Sequence, residues 1–382
     1  MFENLLYQKG VASQLRQEII GGYLAPASLF SGPPLSGKLT AALELARILC
    51  CEKDGRWNCQ CKHCPTHRVL SHPHTILMGH RNLIPEVSAC AELMKNESSD
   101  SSFYLMIRSV KKLLRRFDPI LWEGEEKKLA KLRSAMERLS ESVDSILPGM
   151  SKGEKRETLL ASLVNDCAEM QKSLPILLPI NQIRHVRRWA HHSAGKNHKT
   201  IIIDSAARMP DASKNALLKF LEEPPANTSI VLITDRRQML LPTIVSRLRD
   251  YSFKGRNHAQ EAEVIRRIFK RQEGRGLREF FSTWRNKSSS MIIAKQFIEQ
   301  ANSDSRTMPR EALEIRDLED LRDFLEALGT ELRNRWRKTE SPRHNRFRSE
   351  QKWIREAKFR AENLNLPIPL VLRGLHCAMN GL

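Results

Sequence analysis

Two short stretches of this chain carry residue types that do chemistry at defined spacings. The first is Gly32-Pro33-Pro34-Leu35-Ser36-Gly37-Lys38-Leu39-Thr40, which satisfies the phosphate-loop pattern G-x-x-x-x-G-K through Gly32, Gly37 and Lys38. Such a loop turns backbone N–H groups and the positive end of a helix toward phosphates, while its lysine reaches the terminal ones. The second runs from Cys50 to Cys64 and holds Cys50, Cys51, Cys59, Cys61 and Cys64, five of the chain's eight cysteines. A disulfide framework would scatter them; in a reducing compartment, clustering points to a metal. Four thiolates satisfy tetrahedral Zn²⁺, and the loop between Cys51 and Cys59 is long enough to fold back and close the site. Cys50 and Cys51 compete for the first ligand position, and His63 and His67 could substitute. The plainer alternative is a surface loop of free thiols.

The elements that must position the phosphate loop are legible around it. Ala27-Ser28-Leu29-Phe30 reads as a short strand running into the loop, and Leu39 to Leu49 as the helix after it. Thr200-Ile201-Ile202-Ile203 is the β-branched run of a strand buried on both faces, and it places Asp204 at its carboxyl end, where open α/β sheets bind ligands. Asp211 can cap a helix carrying Leu217, Phe220 and Leu221, ended by Pro224-Pro225, and Ile230 to Ile233 forms a further strand ending at Thr234. Strand, helix, strand in that compass is a parallel βαβ unit.

Two departures weaken a hydrolytic reading. The motif wants Ser or Thr after its lysine to place a hydroxyl on Mg²⁺, and this chain has Leu39. Thr40 cannot stand in, since one helical step rotates a side chain by about 100°. Beside Asp204, Ser205 offers no carboxylate to polarise a water. Gly32, Gly37, Lys38, Leu39, Thr40, Asp204 and Thr234 therefore mark a degenerate nucleotide site in which occupancy by ATP and Mg²⁺ stays open.

The stretch IIIDSAARMPDASKNALLKFLEEPP, followed by LPTIVSR, resembles the clamp-loader AAA+ subunits of bacterial DNA polymerase III. Ser205 and Ala206 stand where the ATP-hydrolysing gamma/tau subunits have an acidic residue, so the delta-prime type is the closer match. The resemblance covers roughly the first and last thirds of the chain. It implies a zinc module between the phosphate-loop helix and the next strand, and keeping the family's first interval selects Cys50, Cys59, Cys61 and Cys64 as ligands. The family separates its last three cysteines by two residues each; here Cys59 and Cys61 are one residue apart. It also implies that Arg247, in Ser246-Arg247, acts in trans on ATP bound by a neighbouring subunit. A guanidinium suits that task because it spreads charge and donates to two phosphate oxygens at once.

At 382 residues the chain is too long for one core, and no apolar run approaches the about 20 residues of a membrane span. With no secretory hydrophobic region in MFENLLYQKG, a cytoplasmic protein is expected. The formal charge of +19 suits a polyanionic partner, although solvated surface accounts for much of any such excess. Where the family passes directly from the strand at His72–Met78 to the helix beginning at Asn181, this chain inserts residues from about 83 to 178. Apolar residues alternate four and three apart over Phe103–Phe117, Leu129–Ile146 and Leu160–Leu174, with Pro119, Pro148-Gly149 and Pro175 as breaks. That pattern predicts an antiparallel bundle or coiled-coil arm growing out from the core. Lys111, Lys112, Arg115 and Arg116 read as its solvated face.

The expected architecture is an α/β AAA+ P-loop module over 1–255, with a zinc knob at 50–64 and the helical insert at 83–178. A helical lid over 256–305 and an all-α collar over 306–382 follow, with Gly274 and Gly276 breaking the lid and Asn302-Ser303-Asp304-Ser305 as a linker. Arg333, Arg335, Arg337, Lys338, Arg343, Arg346 and Arg348 make a basic run that suits solvent at least as well as DNA. The resemblance implies a non-hydrolysing delta-prime-like subunit, working with gamma/tau and delta subunits, the sliding clamp and primer-template DNA. The rival readings are an active ATPase subunit and a stand-alone zinc-dependent nucleic-acid-binding protein.

Overall fold

The computed structural model describes residues 1–146, 153–192, 197–271, 276–284, 287–303, 307–313, 315, 318–337, 344–362, 364 and 366–380. Pro148-Gly149, Gly274, Asp304-Ser305, Lys338 and Arg343 lie outside the described residues. No helix among the described residues is long and apolar enough to cross a membrane. The chain divides into two compact units, Met1–Phe281 and Ser282–Leu382.

The first unit is built on five parallel strands: β1 (Ala27–Ser31), β2 (Thr75–Met78), β3 (Lys199–Ile203), β4 (Thr228–Thr234) and β5 (Arg249–Ser252), in the order β2-β3-β4-β1-β5. Their apolar runs are of the kind that parallel sheets require, since both faces are covered. Leu77 pairs with Ile202, Ile202 with Val231 and Leu29 with Leu232, all buried. Because every strand runs the same way, the carboxyl ends of β1, β3 and β4 share one edge of the sheet, which gathers the phosphate loop, Asp204 and Thr234 from distant sequence. Helix α1 (Lys9–Ile20) precedes β1, and α2 (Lys38–Leu49) follows the loop and buries Ala41, Ala42 and Leu45. A short α3 (Cys64–Arg68) closes the cysteine knob.

The insert has one helix more than its periodicity suggests. The expected α5 (Asp100–Leu114), α6 (Glu126–Asp144) and α7 (Glu154–Ser173) are preceded by α4 (Ile84–Asn96), whose Val87, Ala91 and Met94 are buried. Nor is the insert an outgrowth. Its 3-10 turn Arg115–Phe117 lies against β2, the edge strand, where Arg115 donates to the carbonyls of His72 (3.1 Å) and Thr75. The turn Pro119–Trp122 packs on α8 (Ile180–His191). A bare edge strand is a pairing hazard, and this insert covers it. The expected solvated face is also corrected. Lys112 pairs with Glu86, Arg115 with Asp118 at 3.2 Å, and Arg116 is almost wholly buried.

Helix α9 (Asp211–Glu222) begins after Pro210, so Asp211 sits in its first turn and pairs with Lys214, with no side-chain cap. The short α10 (Pro242–Val245) leads to Arg247, and α11 (His258–Phe269) opens on a capping box formed by Asn257 and Gln260. The first unit ends within α12 (Leu277–Ser282), at Phe281. The division at Phe281 thus falls inside the stretch expected to be a lid, and α13 (Lys287–Asn302) belongs with the second unit. That unit is all-helical, with α14 (Arg310–Leu313), α15 (Leu318–Arg337), α16 (His344–Glu362) and α17 (Ile368–Asn380). They surround a core of Phe297, Phe324, Leu328 and Leu372, in which the two phenylalanine rings meet edge-on at 5.2 Å. Within the basic run, Arg335 faces Glu299 and Glu331, and Arg346 faces Glu350.

Candidate functional site

The phosphate loop is built as its sequence requires. Gly32 has φ +141° and passes so close to β5 that a Cβ there would stand 2.3 Å from the Phe253 carbonyl oxygen. Gly37, at φ +97°, turns the chain into α2, while Leu35 takes a left-handed conformation at φ 60°. Only glycine adopts such angles freely; the leucine is strained. Arg256 holds that turn by donating to the carbonyls of Leu35 and Leu6, the latter at 3.0 Å.

The loop's polar groups are turned inward. Lys38 Nζ donates to the Gly32 carbonyl at 2.6 Å, to the Pro33 carbonyl at 2.5 Å and to Ser36 Oγ at 3.2 Å. Burial, and then the neighbouring Arg81 guanidinium, pull its pKa down to about 8. Leu39 is 6% exposed and belongs to the core cluster with Phe30, Leu43 and Val231. Thr234 is buried, and its Oγ1 accepts from the Arg236 backbone N–H at 3.0 Å.

Asp204, 1% exposed, carries the most consequential contacts. Arg81 grips it two-pronged, Nε to Oδ2 at 2.6 Å and Nη2 to Oδ1 at 2.8 Å. Arg116, from the insert, reaches Oδ2 at 2.9 Å and also donates to the Gly79 carbonyl at 2.6 Å. The Ser205 backbone N–H adds a bond to Oδ1 at 3.0 Å. Burial alone would raise the pKa of this carboxyl, but the two guanidinium groups, Arg81 foremost, outweigh it and hold it far below the usual carboxylate range. Both oxygens are thus committed to arginine. A Mg²⁺-nucleotide does not fit the residues as arranged: the metal's carboxylate is taken, its hydroxyl is replaced by a core leucine, and the lysine is satisfied by the loop itself.

Zinc does fit at the knob. The Sγ atoms of Cys51, Cys59, Cys61 and Cys64 all lie within 4.8 Å of one another, and Cys51 and Cys59 are 3.6 Å apart. Tetrahedral Zn–S bonds of about 2.3 Å place sulfurs about 3.8 Å apart. Donors point at these sulfurs: the Lys53 N–H toward Cys51 and the Cys61 N–H toward Cys59, at 3.4 and 3.5 Å, and Arg47 Nη1 toward Cys64 at 3.4 Å. Such outer bonds orient ligands and disperse thiolate charge. Arg47 is itself buried, paired with Glu44 on α2 and bonded to the carbonyls of Gly55 and Arg56, so it ties the knob to the phosphate-loop helix. Cys50, the expected first ligand, is not in this cluster. Its thiol donates to the His198 carbonyl at 3.1 Å, and burial pushes its pKa up to about 12. His63 and His67 are not in it either: His63 Nδ1 meets His72 Nε2 at 2.9 Å, and His67 stacks on His72, the ligand atoms of Cys50, His67 and His72 lying within 4.8 Å of one another as a separate group.

Arg247 stands apart from these groups at the end of α10, partly exposed. It donates to the Thr243 carbonyl at 2.8 Å and to Glu222 Oε1 at 2.9 Å.

Residues 7–257 match the family described as DNA polymerase III, delta subunit. The chain belongs to this family. Over 74 residues it is 47% identical to the DNA polymerase III subunit delta' of Bacillus subtilis (strain 168), covering 19% of this chain and 22% of that protein. Over 69 residues it is 39% identical to the delta' subunit of Haemophilus influenzae, covering 18% and 21%. A gamma/tau subunit from Mycobacterium tuberculosis is 33% identical over 76 residues, 20% of this chain and 13% of that protein. The matched stretches span about a fifth or less of these curated relatives. A solved gamma subunit-related protein of Thermotoga maritima is 18% identical, with a TM-score of 0.27, over 58% of this chain and 90% of that one.

Sequence reasoning on this family member missed Arg81 and Arg116. Nothing local flags them, because their partner lies 123 and 88 residues away. It also passed over the arginine face of α8, where Arg184, Arg187, Arg188 and His191 line a basic groove. Helical spacing alone would have found that face, opposite the buried Ile183 and Val186.

Proposed function

We propose that this chain is a delta-prime-like subunit of a replicative clamp loader in the cytoplasm, which helps place a sliding clamp on primer-template DNA. In this reading it assembles with gamma/tau and delta subunits, hydrolyses no ATP itself, and presents Arg247 to ATP bound by a neighbour. The observation that carries the reading is the asymmetry between its two ends of nucleotide chemistry. Its own site has Leu39 in the core and Asp204 tied to arginines, whereas Arg247 sits partly exposed on a surface ion pair with Glu222. An exposed pair of that kind is worth only about 0–1 kcal/mol, so a neighbour's phosphates could take the guanidinium from Glu222 at small cost. Membership of the DNA polymerase III delta family supports the setting.

The test is reconstitution with cognate gamma/tau, delta and clamp, comparing wild type with Arg247→Ala. The alanine chain should assemble normally, while the complex loses part of its ATP turnover and more of its clamp loading, since trans arginines contribute on the order of 10³-fold or more elsewhere. Arg247→Lys should not restore it, because an ammonium lacks the two-pronged contact. Clamp loading at the wild-type rate by the alanine complex would remove the arginine role.

A further inference from the structure

The helical insert has no assigned role, and its buried Arg116 points to one. We propose that the insert serves as a built-in plug of the nucleotide site: Arg116, with Arg81 beside it, occupies the place of the divalent cation on Asp204 and makes this module independent of nucleotide.

Four observations converge. Asp204 closes the strand next to β4 in the parallel sheet, at the edge where the loop after β1 also opens. In a working site of this kind that carboxylate helps hold Mg²⁺. Here Arg81 takes both its oxygens and Arg116 shares Oδ2, with all three distances between 2.6 and 2.9 Å. Two guanidinium groups on one carboxylate leave an excess positive charge, which repels a divalent cation as well as displacing it.

Arg116 is also held as a fixed part. Its Nη1 donates to the Gly79 carbonyl, and its own carbonyl accepts from Trp122 Nε1 at 3.0 Å. The Trp122 ring stacks on Phe117 with centroids 5.5 Å apart. At the far end of β2, Arg115 fastens the same turn to the His72 and Thr75 carbonyls. Adjacent arginines from one turn therefore serve two ends of the edge strand, one on its carbonyls and one on the neighbouring strand's aspartate. Finally, Gly79 at φ +98° brings β2 so close to β3 that a Cβ would meet the Asp204 carbonyl oxygen at 2.0 Å. That close approach sets the Gly79 carbonyl, which accepts from Arg116, beside the aspartate that Arg116 also holds. This inference concerns the chain alone and stands whether or not Arg247 acts on a neighbour.

The test uses the full-length chain and Mn²⁺, read by the loss of its free EPR signal, together with a fluorescent ADP. Wild type should bind neither in a way that depends on Asp204. The double variant Arg81→Gln, Arg116→Gln frees the carboxylate and should bind Mn²⁺ at least on the order of a hundredfold more tightly than wild type, as removal of two like charges a few ångströms away requires. That gain should vanish when Asp204→Asn is added. Arg116→Lys, which keeps the charge and much of the length, should stay as closed to Mn²⁺ as wild type. Two outcomes overturn the plug: a folded double variant with wild-type Mn²⁺ affinity, or a wild-type chain whose Mn²⁺ or Mn²⁺-nucleotide binding is abolished by Asp204→Asn. The second is read without the arginine variants, so their failure to fold would not shelter the proposal.

Discussion

Replacing Cys51 and Cys50 in turn should give opposite outcomes, although the two are adjacent in sequence. The Cys51 sulfur lies within 4.8 Å of those of Cys59, Cys61 and Cys64, a fit for tetrahedral zinc. Cys51→Ser removes one of four thiolates. Structural zinc contributes about 10–16 kcal/mol to the folding of small zinc peptides, so loss of one ligand should forfeit at least several kcal/mol of metal affinity. The consequence for the fold should be local but large, because Arg47 bonds to Cys64 and to the knob carbonyls of Gly55 and Arg56 while paired with Glu44 on α2. Cys50→Ser, in contrast, replaces one donor to the His198 carbonyl by another and should cost about 1 kcal/mol. The assay is zinc content of reduced, freshly purified protein, followed by thermal unfolding with and without a chelator. Wild type and Cys50→Ser should hold about one zinc ion per chain and lose stability on chelation. Cys51→Ser should be largely empty and insensitive to chelator. Zinc lost from Cys50→Ser but kept by Cys51→Ser would refute the geometric assignment and restore the ligand set that family spacing favours.

Other changes have equally definite expectations. Leu39→Thr with Ser205→Glu should not create an ATPase, because Asp204 remains tied to its arginines; Leu39→Thr alone should cost about 2–4 kcal/mol, as it removes a buried leucine from the core. Sustained phosphate release by the double variant, abolished by adding Lys38→Ala, would contradict this. Excising residues 83–178 with a Gly/Ser join should destabilise the first unit, since it strips Arg115 and Arg116 from the carbonyls of the edge strand and bares the surfaces of β2 and α8 on which the insert packs. An unfolding midpoint equal to wild type would show instead that the insert is a detachable arm. Acid should act through Asp204 as well. Its folded pKa is depressed, so its contribution is complete above the unfolded value of about 3.9 and is lost only as pH falls further toward the folded one. Asp204→Asn should be less stable at neutral pH and show a shallower loss of stability below about pH 4. A variant whose acid unfolding curve runs parallel to that of wild type would separate the aspartate from acid sensitivity.

What the sequence determined by itself is what short-range chemistry can specify. The apolar runs of β1, β3 and β4 declared themselves because a strand buried on both faces admits little else, and the spacing of Gly32, Gly37 and Lys38 is the loop's own geometry. The loss of the hydroxyl at Leu39 and of the carboxylate at Ser205 was equally plain, since each is a missing functional group. The helices of the insert followed from period, but their destination did not. Periodicity says which face of a helix is apolar and nothing about which edge of a sheet that face will cover, so the packing on β2 and the extra helix α4 came from tertiary structure. The choice between Cys50 and Cys51 was beyond the sequence for a similar reason. At the end of α2 one residue turns a side chain toward the knob and its neighbour toward the His198 carbonyl, a rotation fixed by packing. Arg81 and Arg116 show the limit most clearly. Each is an ordinary basic residue in its own stretch, and only the folding of the sheet and insert brings them onto Asp204, where the cost of burying a lone carboxylate selects charged partners from 123 and 88 residues away.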